Sequence, residues 1–216
     1  MTPINSAFRC LVYALLALAL SACSKVSPES SRSDPAQADK PAATPSVKGD
    51  VKNRAVAVVA GGCFWGMEEI LRQVPGVLET QVGYAGGSVP NPDYDAVSSG
   101  SSGHAEAVRI VYDRSVLSYR TLLTDWFFRM HDPTTQNRQG NDVGSQYRSA
   151  IFVTSPEERQ IAESVIRELD QSGKLDAPIV TTIEKAGPFT PAEDYHQDYL
   201  QKHPGGYTCH YLRQWT

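Results

Sequence analysis

Apolar and polar positions alternate in blocks along residues 54–216, and each block predicts an element. Ala55–Ala60 (AVAVVA) is a short continuous apolar run of the kind a buried strand needs. Gly61-Gly62 breaks it, and Cys63–Gln73 then predicts a helix that stops before Pro75-Gly76. Val77–Tyr84 and Ala105–Asp113 predict strands, the second alternating through Val108, Ile110 and Tyr112. The Gly-, Ser- and Pro-rich stretch 85–104 between them predicts a long loop, a length that in a packed domain points to function or disorder. Ser118–His131 predicts a helix with Leu122, Leu123, Trp126, Phe127 and Met130 on its apolar side. A polar loop, 132–147, leads to a strand at Ser149–Thr154.

Ser155-Pro156-Glu157-Glu158 then carries a Ser cap, a first-position Pro and an acidic third position, the marks of a helix start. That helix is expected to run to Ser172-Gly173, followed by a strand at Ile179–Lys185, a short helix at Pro191–Gln201 and a Gly- and aromatic-rich tail. The order β-α-β-β-α-β-α-β predicts an α+β fold, a two-layer sandwich of helices on a mixed or antiparallel sheet with a ferredoxin-like core.

Upstream the pattern changes. Arg9 precedes the apolar run Cys10–Leu20, too short for a comfortable membrane span but suited to a secretory signal. Leu20-Ser21-Ala22-Cys23 resembles the bacterial lipobox, so residues 1–22 are expected to be removed and Cys23 acylated; ordinary cleavage is the plainer alternative. Ser24 after that Cys implies an exported lipoprotein of the outer membrane, facing the periplasm, in a host with two membranes. Residues 23–53 have no aromatic, Leu or Ile after Cys23, too little apolar surface to offset ordering. They are expected to be a disordered tether, reaching roughly 30 Å as a flexible coil. Residues 54–216 are the functional domain. The net charge of −4 gives no basic stripe for nucleic acid.

Cysteine arithmetic leaves Cys63 and Cys209 in the mature domain. Cys63 follows a strand and two glycines and opens a helix, where peptide N–H groups and the helix dipole favour a thiolate. The flanking glycines are expected to leave it accessible. Cys209 pairs with it either as a structural half-cystine or as a redox partner, and spacing does not choose between them. His196, His203, Cys209 and His210 cluster late in the chain, but with no helical His pair and no Cys-x-x-Cys; no metal and no nucleotide cofactor are expected.

Gly62-Cys63-Phe64-Trp65-Gly66 resembles the signature of the A-type peptide-methionine sulfoxide reductases. So, in order, do Val82–Gly87, Asn91–Tyr94, Gly103–Val108, His131–Pro133, Gln139–Asp142, Gly144–Ser149 and Ala192–Gln197. The resemblance implies reduction of methionine sulfoxide, the S epimer, in repair of oxidised exported proteins. It implies Cys63 as nucleophile, Glu106 as acid with a pKa raised by burial, and Tyr94 and Tyr147 as phenols bonding the sulfoxide oxygen. Asp142 would position and polarise the site, and Phe64 and Trp65 would hold the S-methyl group. It further implies Cys209 as the resolving thiol and a thioredoxin-like protein as electron donor. Two other classes compete. A binding module would lack the nucleophile or acid, and a general disulfide oxidoreductase would carry Cys-x-x-Cys.

Overall fold

The computed structural model describes residues 51–215. The expected signal, the lipid site at Cys23 and most of the expected tether lie outside the described residues. A 3₁₀ turn, Val51–Asn53, runs into β1 (Arg54–Gly61). There follow α1 (Phe64–Leu71), β2 (Val77–Ala85), α2 (Tyr94–Ser98) and β3 (Ala105–Asp113). A composite helix comes next: α3 (Tyr119–Thr121), a π-helical stretch (Leu122–Phe127) and α4 (Phe128–Met130). The hairpin β4 (Arg138–Gln139) and β5 (Asp142–Val143) leads through a 3₁₀ turn, Ser145–Tyr147, to β6 (Ser149–Val153). The chain closes with α5 (Pro156–Gln171), β7 (Thr182–Lys185), β8 (Thr190–Pro191) and α6 (Tyr199–Lys202).

The main sheet runs β7-β6-β1-β3-β2-β8. Its four central strands are antiparallel, and β7 adds parallel to β6 across the helix α5. This is the expected helix-on-sheet α+β sandwich. Period two divides the strands' side chains between two faces. Ala57, Val59, Val82, Tyr84, Val108, Ile110 and Ile151 pack beneath Phe64, Met67 and Leu71 of α1, the composite helix and α5. The opposite face is nearly all small: Ala60, Ala85, Ala105, Ala107 and Ala150, with Phe152 and Phe189.

The cap at α5 forms as its sequence predicts. Ser155 Oγ accepts from Glu158 N–H at 3.1 Å, and Glu158 Oε2 accepts from Thr154 N–H at 2.6 Å. A Ser cap of this kind contributes about 1 kcal/mol. Elsewhere the boundaries shift. The first helix begins one residue after Cys63 and ends at Leu71, and the loop 85–104 contains α2, whose cap is Asp93 accepting from Ala96 N–H at 2.9 Å. The loop 132–147 contains the β4–β5 hairpin. In the composite helix the π turn inserts an extra residue per turn, so Phe128 is buried beside Phe127 and Trp126 is left half-buried.

The helix expected over 191–201 forms only at Tyr199–Lys202. Pro191 is taken into β8 opposite Gly83, and Asp198 sits in the left-handed region at φ 53°. The Gln197 side chain meanwhile bonds the N–H and C=O of Val82 and the C=O of Ala192. Those side-chain bonds supply an alternative to a helical ladder. The strand expected from Ile179 starts at Thr182, because Ile179 N–H is held by Asp170 and Val180 N–H by the Pro133 carbonyl.

Candidate active site

Cys63 occupies the N-cap position of α1. It is only 6% exposed, which corrects the expectation of an accessible thiol. Gly62 and Gly66 create close packing rather than access. Gly62 has φ +106°, and a Cβ on it would lie 2.5 Å from Gln139. A Cβ on Gly66 would lie 2.2 Å from Thr208 Oγ1 and 2.7 Å from His210 Nδ1. The missing side chain lets the C-terminal tail cross the first turn of α1.

Glu106 faces the same layer from β3, where it pairs with Tyr84 across the sheet. It is 2% exposed, and its Oε2 accepts from the Phe64 N–H at 3.0 Å. Burial raises its carboxyl to about 8, further helped by the charge of Asp142 and partly offset by the Phe64 N–H. The group is therefore an acid at neutral pH. The Cys63 thiol is also pushed up, first by burial and then by the Glu106 charge, against a smaller downward pull from the Trp65 N–H. That N–H is the helix-start effect expected from the sequence, but it closes no capping bond and burial outweighs it. The resting Cys63 is a protonated thiol.

Tyr94 opens α2, and Tyr147 ends the 3₁₀ turn. Both phenols are raised, by burial first and then by Glu106, with Cys63 and Asp142 also contributing. The five groups thus share one electrostatic neighbourhood, and the phenols stay protonated as donors. Asp142, from β5, accepts from Tyr207 Oη at 3.0 Å on one oxygen and from the Cys209 thiol at 3.3 Å on the other. Cys63 and Cys209 are both free thiols. The Cys209 sulfur faces the peptide N–H of Cys63. The tail thus brings the second cysteine to the first.

The two rings after Cys63 diverge. Phe64 is closed into the core against Tyr84 and His196, at centroid distances of 6.0 and 5.1 Å. Trp65 remains half-buried, stacked on Tyr199 at 3.8 Å and donating from Nε1 to His196 Nδ1 at 3.1 Å. The ring left at the surface edge is Trp65, with Phe64 as backing.

Several supporting residues had no role assigned from the sequence. Glu193 holds the site's rim: Oε1 accepts from Tyr94 N–H at 2.9 Å and Oε2 from the Tyr84 hydroxyl at 2.8 Å. His196, Tyr199, Tyr207 and His210 complete the surroundings. Glu193 and His196 lie within Ala192–Gln197, a segment the resemblance had already singled out, so their location was signalled though their contacts were not. Among the described residues, no group of three or more His, Cys, Asp or Glu side chains converges to hold a metal.

The family profile described as "Peptide methionine sulfoxide reductase" matches residues 55–215. A Mesorhizobium japonicum protein named peptide methionine sulfoxide reductase MsrA 1 is 54% identical over 157 residues, 73% of this chain and 88% of that one. A Methanoculleus marisnigri protein named peptide methionine sulfoxide reductase MsrA is 56% identical over 150 residues, 69% of this chain and 91% of its own length. Among solved structures, Mxr1 from Saccharomyces cerevisiae in reduced form is similar with a TM-score of 0.70 and 38% identity, covering 79% of this chain and 98% of that one. Mxr1 in complex with Trx2 is similar at TM-score 0.51 and 28% identity, covering 79% and 97%.

Proposed function

Because this chain belongs to the peptide methionine sulfoxide reductase family, we propose that Cys63 is the nucleophile of its methionine sulfoxide reduction, with Glu106 as acid and Cys209 as resolving thiol. The reaction class follows from family membership. The assignment of residues rests on one observation: the Phe64 N–H at the head of α1 binds the Glu106 carboxyl, setting an acid at neutral pH beside Cys63.

The sulfoxide sulfur is electrophilic and its oxygen basic. Tyr94 and Tyr147 donate to that oxygen while the S-methyl group rests on Trp65. Glu106 gives the oxygen its proton as the Cys63 sulfur pair attacks, and it regains a proton from the Cys63 thiol. The net change is thiol plus sulfoxide to sulfenic acid plus methionine, with Glu106 unchanged. Cys209 then attacks the sulfenic sulfur, forming the Cys63–Cys209 disulfide and releasing the oxygen as water. A thioredoxin-like dithiol reduces that disulfide by exchange; the complex of the yeast relative with Trx2 supports a protein donor. The substrate is the S epimer, free or within proteins. Cys63→Ser is expected to abolish methionine release while the melting temperature holds, since a hydroxyl is a far poorer nucleophile near neutral pH. Retention of most activity would overturn the assignment.

The N-terminal sequence supports an exported, lipid-anchored enzyme that repairs oxidised proteins outside the cytoplasm. Its supports are Arg9, the run Cys10–Leu20 and the lipobox-like residues before Cys23. Labelling with a fatty acid tests this: incorporation that disappears in Cys23→Ser is expected, and equal incorporation in both would remove the anchor.

A further inference from the structure

We propose that His210 is a catalytic base of the recycling half-reaction, taking the thiol proton of Cys209 as that sulfur attacks the Cys63 sulfenic acid. This rests on the reading of Cys209 as the resolving thiol.

The ring's tautomer follows from its partners. His210 Nε2 lies 2.8 Å from the carbonyl oxygen of Gly61. A carbonyl only accepts, so Nε2 carries the hydrogen and the neutral ring presents a lone pair at Nδ1. Nδ1 is 3.5 Å from Cys209 Sγ. The ring is buried and cannot turn away: Gly61 holds one edge, its own backbone N–H is tied to Thr208 Oγ1, and the open Cα of Gly66 lies against Nδ1. A base therefore points at the sulfur that must lose a proton.

Asp142 also accepts from that thiol, but its influence is opposite. Its hydrogen bond and its charge, added to burial, hold Cys209 in the protonated form. Rotation about the Cβ–Sγ bond redirects the S–H from Asp142 Oδ2 to His210 Nδ1. Transfer then leaves an imidazolium beside the attacking sulfur; burial lowers the ring's affinity for the proton, and the Asp142 charge partly offsets that. The balance closes: the Cys209–Cys63 S–S bond forms and the Cys63 S–O bond breaks. The thiol proton goes to His210, and the oxygen leaves as water with a proton from Glu106. The charged and titratable groups around His210 are Cys209, Asp142, Arg213 and His131.

The test is His210→Gln in the full chain. Its side-chain amide nitrogen can occupy the place of Nε2 and keep the bond to Gly61, while nothing replaces Nδ1. One equivalent of N-acetylmethionine sulfoxide is added without reductant. Methionine release and the Cys63–Cys209 disulfide are followed by quenching with an alkylating agent and peptide mass mapping. Expected is about one methionine per enzyme, an unchanged melting temperature and disulfide formation slowed about tenfold or more. The variant's disulfide rate should climb about tenfold per pH unit between pH 6 and 7.5, as solvent base replaces the ring. The wild-type rate should be level there. Disulfide formation at the wild-type rate in His210→Gln would overturn the proposal. If that variant does not fold, the wild-type profile decides: a level rate supports the base, and a tenfold climb per unit overturns it. Failure of the wild type to form any Cys63–Cys209 bond would instead remove the reading of Cys209 on which the proposal rests.

Discussion

The peptide N–H of Phe64 donates to Glu106 Oε2 at 3.0 Å, joining the first turn of α1 to the middle of the sheet. The bond aims the carboxyl at the helix start that carries Cys63. Burial keeps it protonated despite that N–H, which alone would favour the anion.

Activity should depend on pH through Glu106. Glu106 donates only as the acid, so kcat/KM is expected to be level below about 8 and to fall as pH rises through that value. Glu106→Gln should lose that limb and lower the rate about a hundredfold or more. Stability gives an independent check. A carboxyl raised from 4.5 to about 8 contributes stability below 4.5 and loses it as pH rises through 8. Glu106→Gln is therefore expected to melt higher than wild type at pH 9, measured by thermal scans at pH 6 and 9.

Asp142→Asn should act on Cys209. Burial first, then the hydrogen bond and charge of Asp142, raise that thiol to about 12. Removing the charge should bring it down toward the ordinary thiol range, so Cys209 should alkylate faster at pH 8.5. An unchanged alkylation rate would contradict the role assigned to the Asp142 contact.

Gly66→Ala tests the crossing of the tail over α1. The new methyl meets Thr208 and His210, so the segment that carries Cys209 must shift. Methionine release in a single turnover should survive, while donor-driven turnover falls severalfold or more. Stopped-flow disulfide formation measures the difference.

Cys209→Ser separates a resolving thiol from a structural half-cystine. The resolving role predicts one methionine per enzyme, a sharp loss of turnover with a thioredoxin-like donor, and partial rescue by excess small thiol. A structural role predicts full turnover and a lowered melting temperature.

Much of this was legible in the sequence because period and punctuation carry it. The apolar run of β1, the Gly-Gly break and the Ser155 cap each specify a local structure, and each formed. What was illegible depends on side chains meeting across long separations. The π turn at Leu122–Phe127 exchanges Trp126 for Phe128 in the core, which a 3.6 period does not show. The 191–201 segment reads as helical, yet Gln197 spends its amide on Val82 and the chain turns left-handed at Asp198. At the site, the thiolate expected for Cys63 considered the helix start alone; burial is a tertiary property, and it reverses the sign. Glu193, Tyr207 and His210 were likewise visible as letters but not as partners of Tyr94, Asp142 and Cys209.

The most direct measurement is a single pulse of methionine sulfoxide on the reduced enzyme, without donor, followed by alkylation and peptide mass mapping. One methionine should be released per chain and one disulfide formed, joining Cys63 to Cys209, with none formed when sulfoxide is omitted. Methionine released while Cys63 remains a free, alkylatable thiol would contradict it.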